Sequence, residues 1–134
     1  MTKIILDHSA LMAFLTNSDG ADEVERALQQ AVAKQQPVYV STVSWGELHV
    51  QLAQIKGPEA ASRTLLELEQ LGLNVEVVDE RLSTSAAATA IRYSLPYNSC
   101  LDVALAAIKK GTLLTTDVSL ARLPGVVRIP ERKG

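Results

Sequence analysis

Short apolar runs alternate with longer segments of helical periodicity along the whole chain. Ile4-Ile5-Leu6 comes first: three consecutive apolar residues, two of them β-branched, read as a buried central strand of a parallel sheet. The run stops at Asp7. Residues 9–15 then combine a capping serine with Ala10, Leu11, Met12, Ala13 and Phe14, which predicts a short buried helix ending in the turn Asn17-Ser18-Asp19-Gly20. Over residues 21–34, Val24, Leu28, Ala31 and Val32 recur at helical spacing while Asp22, Glu23, Glu25 and Arg26 face water.

Residues 37–40 predict a second strand, stopped by Ser41 and Thr42. The helix after it runs to about Ile55 with Trp45, Leu48, Leu52 and Ile55 as its apolar stripe, and Glu47 lies beside that stripe near the helix start. Pro58 suits a first helical position, and 59–71 continues as a Leu-rich helix ended by Gly72. Its Leu65, Leu66, Leu68 and Leu71 cover more surface than one sheet face needs. A third strand at 73–78 leads to Asp79, a helix cap; 81–93 is an alanine-rich helix closed at Leu95-Pro96. Ser99 opens a helix over 101–110. A strand at 112–115, a short helix at 117–123 and a fifth strand at 126–129 precede a polar tail. This alternation implies one α/β domain over residues 1–134, with a mostly parallel sheet of about five strands and helices on both faces.

Composition narrows the function classes. The 134 residues carry 13 Lys+Arg against 15 Asp+Glu, so no global cationic field attracts nucleic acid. A site that grips phosphate through bound cations remains open. The single cysteine, Cys100, can form no internal disulfide, which suits a reducing cytoplasm. No run is long and apolar enough for a signal peptide or a membrane span, so the expectation is a cytoplasmic protein without membrane contact.

Four carboxylates fall at junctions: Asp7 after the first strand, Glu47 in the helix after the second, Asp102 in the first turn of its helix, and Asp117 after the fourth strand. Each has a plain structural explanation. Ser44-x-x-Glu47 and Ser99-x-x-Asp102 fit capping boxes, and Asp7 and Asp117 can cap the helices they precede. Taken together they say more, because in a parallel sheet every strand's carboxyl end and the start of the following helix share one edge. Clustered carboxylates repel unless a cation sits among them, and oxygen-only donors suit Mg²⁺ or Mn²⁺, which can activate water and neutralise a phosphoryl group. Ser9 and Thr115, two residues from Asp7 and Asp117, are placed to support those carboxylates, or else serve only local turns. His8 and His49 make no zinc pattern and read as incidental, and Arg122 reads as a solvated surface residue.

The segments Ile5-Leu6-Asp7-His8-Ser9-Ala10-Leu11, Ser44-Trp45-Gly46-Glu47-Leu48, Leu101-Asp102-Val103-Ala104-Leu105-Ala106 and Leu114-Thr115-Thr116-Asp117-Val118-Ser119-Leu120 resemble, in order, the acidic motifs of PIN-domain nucleases. The bare domain is most similar to the VapC-type toxins of toxin–antitoxin pairs. That resemblance implies a PIN-like three-layer α/β/α fold and a Mg²⁺- or Mn²⁺-dependent endoribonuclease. Asp7, Glu47, Asp102 and Asp117 would be its metal-binding acids, with Thr115 or Ser9 supporting them. It further implies an RNA substrate, a homodimer and a cognate antitoxin whose tail occupies the active-site groove. The chain departs from the pattern at Ser99-Cys100-Leu101, where the family often has tyrosine or alanine before the third acid, and at His8, where threonine or serine is common. Two rivals stand beside this reading. A receiver-like phosphorelay lacks its paired acids and its late lysine here; a non-catalytic PIN-like protein- or RNA-binding module has no need of four clustered carboxylates.

Overall fold

A computed structural model describes residues 3–130; most of the polar tail lies outside these residues. Five strands form a sheet in the order β3-β2-β1-β4-β5, with β1 at Lys3–Leu6, β2 at Val38–Ser41, β3 at Leu73–Glu76, β4 at Gly111–Thr115 and β5 at Val126–Arg128. Every pairing is parallel, so the sheet is wholly rather than mostly parallel. The first apolar run is its central strand, paired at Ile5 with Tyr39 on one side and Leu113 on the other.

Alternation of side chains along the strands divides the interior into two cores. Leu6, Val38, Val40, Leu73 and Leu114 pack under α1 (His8–Leu15), α2 (Ala21–Ala33), α3 (Thr42–Lys56) and α4 (Pro58–Gln70). Ile5, Tyr39 and Leu113 pack under α5 (Glu80–Tyr93) and α6 (Leu101–Lys109). The result is the expected three-layer α/β/α arrangement. Ile5, Leu6, Leu11, Leu48 and Leu113 are fully buried, and truncating any of them to alanine costs about 2–5 kcal/mol. The strands also approach closely. A Cβ at Gly111 would stand 2.6 Å from the Lys3 carbonyl oxygen, so the start of β4 requires glycine.

Several expectations shift. Ser41 both ends β2 and caps α3, accepting from the Ser44 N–H at 3.1 Å, so no capping box forms at Ser44 and Glu47. Asp102 belongs to no capping box either, because a 3₁₀ turn at Tyr97–Cys100 runs directly into α6 without a side-chain cap. β3 stops at Glu76 rather than 78, and Val77 is exposed. The short helix expected at 117–123 is one 3₁₀ turn, Val118–Leu120, because Pro124-Gly125 breaks the chain just beyond it. Val32 and Ile55, placed on apolar stripes, are 64% and 65% exposed: each stands in the last turn of its helix, and α2 packs chiefly on α1 rather than on the sheet. Leu66 and Leu71 are likewise exposed, whereas Leu65 and Leu68 enter the core. Among the described residues no helix is long and apolar enough to cross a membrane.

Candidate active site

The topology delivers the four acids to one place. Asp7, Glu47, Asp102 and Asp117 all line a cavity of about 310 Å³, together with His8, Ser9, Ser44, Asn98 and Ser99. It lies at the carboxyl edge of β1, β2 and β4, where helix amino ends also gather.

Asp7 sits between β1 and α1 and is 7% exposed. Its Oδ1 accepts the Ala10 N–H at 3.0 Å, which caps α1, and the Ser9 hydroxyl at 2.6 Å. The Ser9 Oγ also accepts the Thr116 N–H at 3.0 Å and lies 3.3 Å from the Thr115 Oγ1. Thr115 Oγ1 in turn accepts the Asp117 N–H at 3.0 Å. Thr115 is fully buried and lies behind the cavity wall, so Ser9 and Thr115 stitch the end of β1 to the end of β4.

Asp102, in the first turn of α6, is 3% exposed. Its Oδ1 accepts the Ser41 N–H at 2.9 Å and its Oδ2 accepts the Ser44 hydroxyl at 2.5 Å, which ties α6 to the β2–α3 junction. Burial first, with the negative charge of Asp7 adding to it, pushes its carboxyl up to about 7 against the pull of these hydrogen bonds. Burial also raises the Cys100 thiol, with Asp117's charge adding to the effect.

Glu47 and Asp117 are more open. Glu47, its side chain 34% exposed, meets the His8 Nε2 through Oε2 at 3.0 Å, and the His8 Nδ1 stands 3.4 Å from the Gln51 Oε1. Asp117 Oδ1 accepts the Ser119 N–H at 2.9 Å and the Ser119 hydroxyl at 2.7 Å, so it caps the 3₁₀ turn while facing the cavity.

Two side chains do more than their local pattern implies. His8, incidental by pattern, pairs with Glu47, and Ser44, half of a capping box by pattern, donates to Asp102. Their signal was position. His8 follows a strand-ending acid, and Ser44 stands one turn into a helix that begins at the same edge. Arg122 is exposed, donates to the Tyr93 carbonyl at 3.3 Å and does not line the cavity.

The donor set can be tested against a divalent cation. Among the described residues no three His, Cys, Asp or Glu side chains stand as a ready-made metal cage. A hard cation such as Mg²⁺ needs less, since it keeps several waters and takes one or two carboxylates directly. The cavity offers oxygen donors, no lysine or arginine among the described residues lines it, and Asp7 and Asp102 repel across it. That chemistry fits a hard divalent ion.

Comparison with known proteins agrees with the geometry. A toxin–antitoxin complex from Klebsiella pneumoniae superposes with a TM-score of 0.70 at 19% identity, over 93% of this chain and 96% of that one. A DNA-bound VapBC from Salmonella typhimurium gives 0.71 at 14% identity, over 98% and 99%. A sarcin-ricin loop cleaving VapC toxin from Mycobacterium tuberculosis gives 0.68 at 17% identity, over 98% and 100%. At such identities the likeness is one of fold. A search of the curated proteins found no match. The PIN domain family model, however, matches residues 4–126, from the first strand to the start of the last. The acids gathered at the sheet edge therefore stand within a recognised fold, and the chain belongs to the PIN-domain family.

Proposed function

We propose that the chain is a metal-dependent endoribonuclease, the toxin of a VapC-type toxin–antitoxin pair, which hydrolyses RNA phosphodiester bonds in the cytoplasm. One observation carries the reading: four carboxylates from four separate chain segments line one cavity in a PIN-domain fold. A surface that only binds a partner has no use for that concentration of like charge.

In this reading Asp7 and Asp102 hold Mg²⁺ or Mn²⁺, with Glu47 and Asp117 completing its surroundings. Such an ion, when bound, supplies an acidified water and neutralises charge on the phosphodiester. The protein's own groups keep the donors in place. Ser9 and the Ala10 N–H fix Asp7, Ser41 and Ser44 fix Asp102, and Thr115 fixes the backbone at Asp117. His8 occupies one oxygen of Glu47, which leaves Oε1 to accept a proton from water in the cavity.

Support for the toxin role comes from the structural neighbours, several of which are toxins or toxin–antitoxin complexes. A homodimer and an antitoxin partner are consistent with the apolar side chains left exposed on α3 and at α4 and its C-cap, namely Val50, Ile55, Leu66 and Leu71. The buried, unpaired thiol of Cys100 suits a reducing compartment. The test is cleavage of a pool of structured RNAs with Mg²⁺ or Mn²⁺ against EDTA, with Asp7→Asn as control. Metal-dependent cutting that vanishes in the variant is expected. RNA binding with no cutting under any condition overturns the enzyme in favour of a binding module.

A further inference from the structure

A second cavity, of about 370 Å³, lies against the acid cavity, and His8, Ser9 and Thr116 line both. Much of its remaining wall comes from Met12, Thr16 and Gln51. His8 is the partition. Its Nε2 meets Glu47 on the acid side at 3.0 Å, and its Nδ1 meets the Gln51 Oε1 on the other at 3.4 Å.

The two cavities differ in kind. The first gathers four carboxylates; the second is lined, among the described residues, by no lysine, arginine or carboxylate but by an imidazole, hydroxyls, one amide and one thioether. A phosphate would find no fixed cation there, and a charged peptide side chain no counter-ion beyond the imidazole. A nucleobase is neutral, flat and edged with donors and acceptors, and it matches this lining. A glutamine amide presents an adjacent donor and acceptor to such an edge, and a methionine sulfur packs favourably on an aromatic ring. The Gln51 amide nitrogen makes no hydrogen bond among the described residues. The volume falls within the usual range for small-molecule sites.

We propose that this second cavity is the subsite for the nucleoside adjoining the scissile phosphate. Gln51, oriented by His8, reads the base edge, and Met12 packs against the base. The shared wall explains the placement, since a phosphodiester over the acids puts its neighbouring nucleoside beyond His8. The inference rests on the nuclease reading and deepens it.

The experiment maps the cut ends in a randomised single-stranded RNA pool for the wild type, Gln51→Ala and Met12→Trp. The wild type is expected to favour one base beside the cut. Gln51→Ala lowers that preference about tenfold, the value of one lost hydrogen bond. Met12→Trp fills the cavity and raises KM with little change in kcat, while melting temperatures stay close to wild type. Anisotropy with the uncleavable Asp7→Asn protein reads binding without turnover. There, adding Gln51→Ala weakens the preferred oligonucleotide about tenfold and leaves a non-preferred one unchanged. An unaltered base preference in both variants overturns the subsite. So does loss of a bound protein partner from Gln51→Ala with RNA preference intact, which makes the cavity a protein-binding groove. A wild type that neither cuts nor binds RNA overturns the nuclease reading, and the subsite with it.

Discussion

The candidate site has a buried half and an open half, and they hold their carboxylates by different means. Asp7 and Asp102 are 7% and 3% exposed and are fixed by backbone N–H groups and serine hydroxyls. Glu47 depends on a half-exposed histidine, and Asp117 on its own turn. Burial makes charge costly and position certain; exposure does the reverse. The buried pair therefore resembles a fixed seat for a cation, whereas Glu47 and Asp117 can adjust to what arrives.

The largest expected effect falls on the buried half. Asp7→Asn or Asp102→Asn should reduce RNA cleavage by up to about a thousandfold, as removal of a central electrostatic group does in other enzymes. Neither change should unfold the protein. Asparagine keeps an acceptor for the N–H bonds and removes the repulsion between the two acids, so thermal melts without metal should show equal or higher stability. Marked destabilisation of both would mean that these carboxylates serve capping and packing. Glu47→Gln tests the open half by the same assay. A smaller loss, about a hundredfold, is expected for a group that assists proton transfer. The exposed pair with His8 contributes at most about 1 kcal/mol to stability.

A pH titration of stability sharpens the contrast. Asp102 is pushed up to about 7 by burial, from an ordinary value of 3.8, so between those values the folded state binds more protons than the unfolded one. Stability of the metal-free protein should thus fall as pH rises from about 4 to about 7, by at most roughly 4 kcal/mol, and level off above. Urea melts across that range should show the slope in the wild type and lose it in Asp102→Asn. Saturating Mg²⁺ should flatten it too, because a bound cation favours the ionised carboxylate.

The same division marks what the sequence could reveal. Strand-ending acids are legible because a parallel sheet needs no side-chain detail to bring its carboxyl ends to one edge; Asp7 and Asp117 follow from that rule, and Asp102 from its place in a helix's first turn. The sheet itself is legible because strands buried on both faces read as unbroken apolar runs such as Ile4-Ile5-Leu6. The groups that fix the acids are legible only where they are near neighbours in the chain, as Ser9 is to Asp7 and Thr115 to Asp117. Ser41 and Ser44 meet Asp102 across about sixty residues of chain, and no local pattern records such a partnership. His8 and Glu47 meet only because α1 packs beside α3. Helix stripes failed at Val32 and Ile55 for a related reason: periodicity shows which face is apolar, not whether anything packs on its last turn.

The smallest effects come from one chemical change made in both halves, the removal of a serine hydroxyl that donates to a carboxylate. Ser44→Ala leaves the buried Asp102 Oδ2 without its donor, and an unsatisfied buried acceptor costs about 1–3 kcal/mol. Ser119→Ala removes the 2.7 Å bond to Asp117 but spares the N–H bond at 2.9 Å, on an exposed turn where water can replace the hydroxyl. Its stability should stay within about 0.5 kcal/mol of wild type. Cleavage should fall about threefold in Ser119→Ala and about thirtyfold in Ser44→Ala if one hydrogen bond's orientation is worth its usual energy at the two sites. Urea melts and initial rates at saturating Mg²⁺ give both numbers. Equal losses in the two variants would break the contrast, because the open half would then be held as tightly as the buried one.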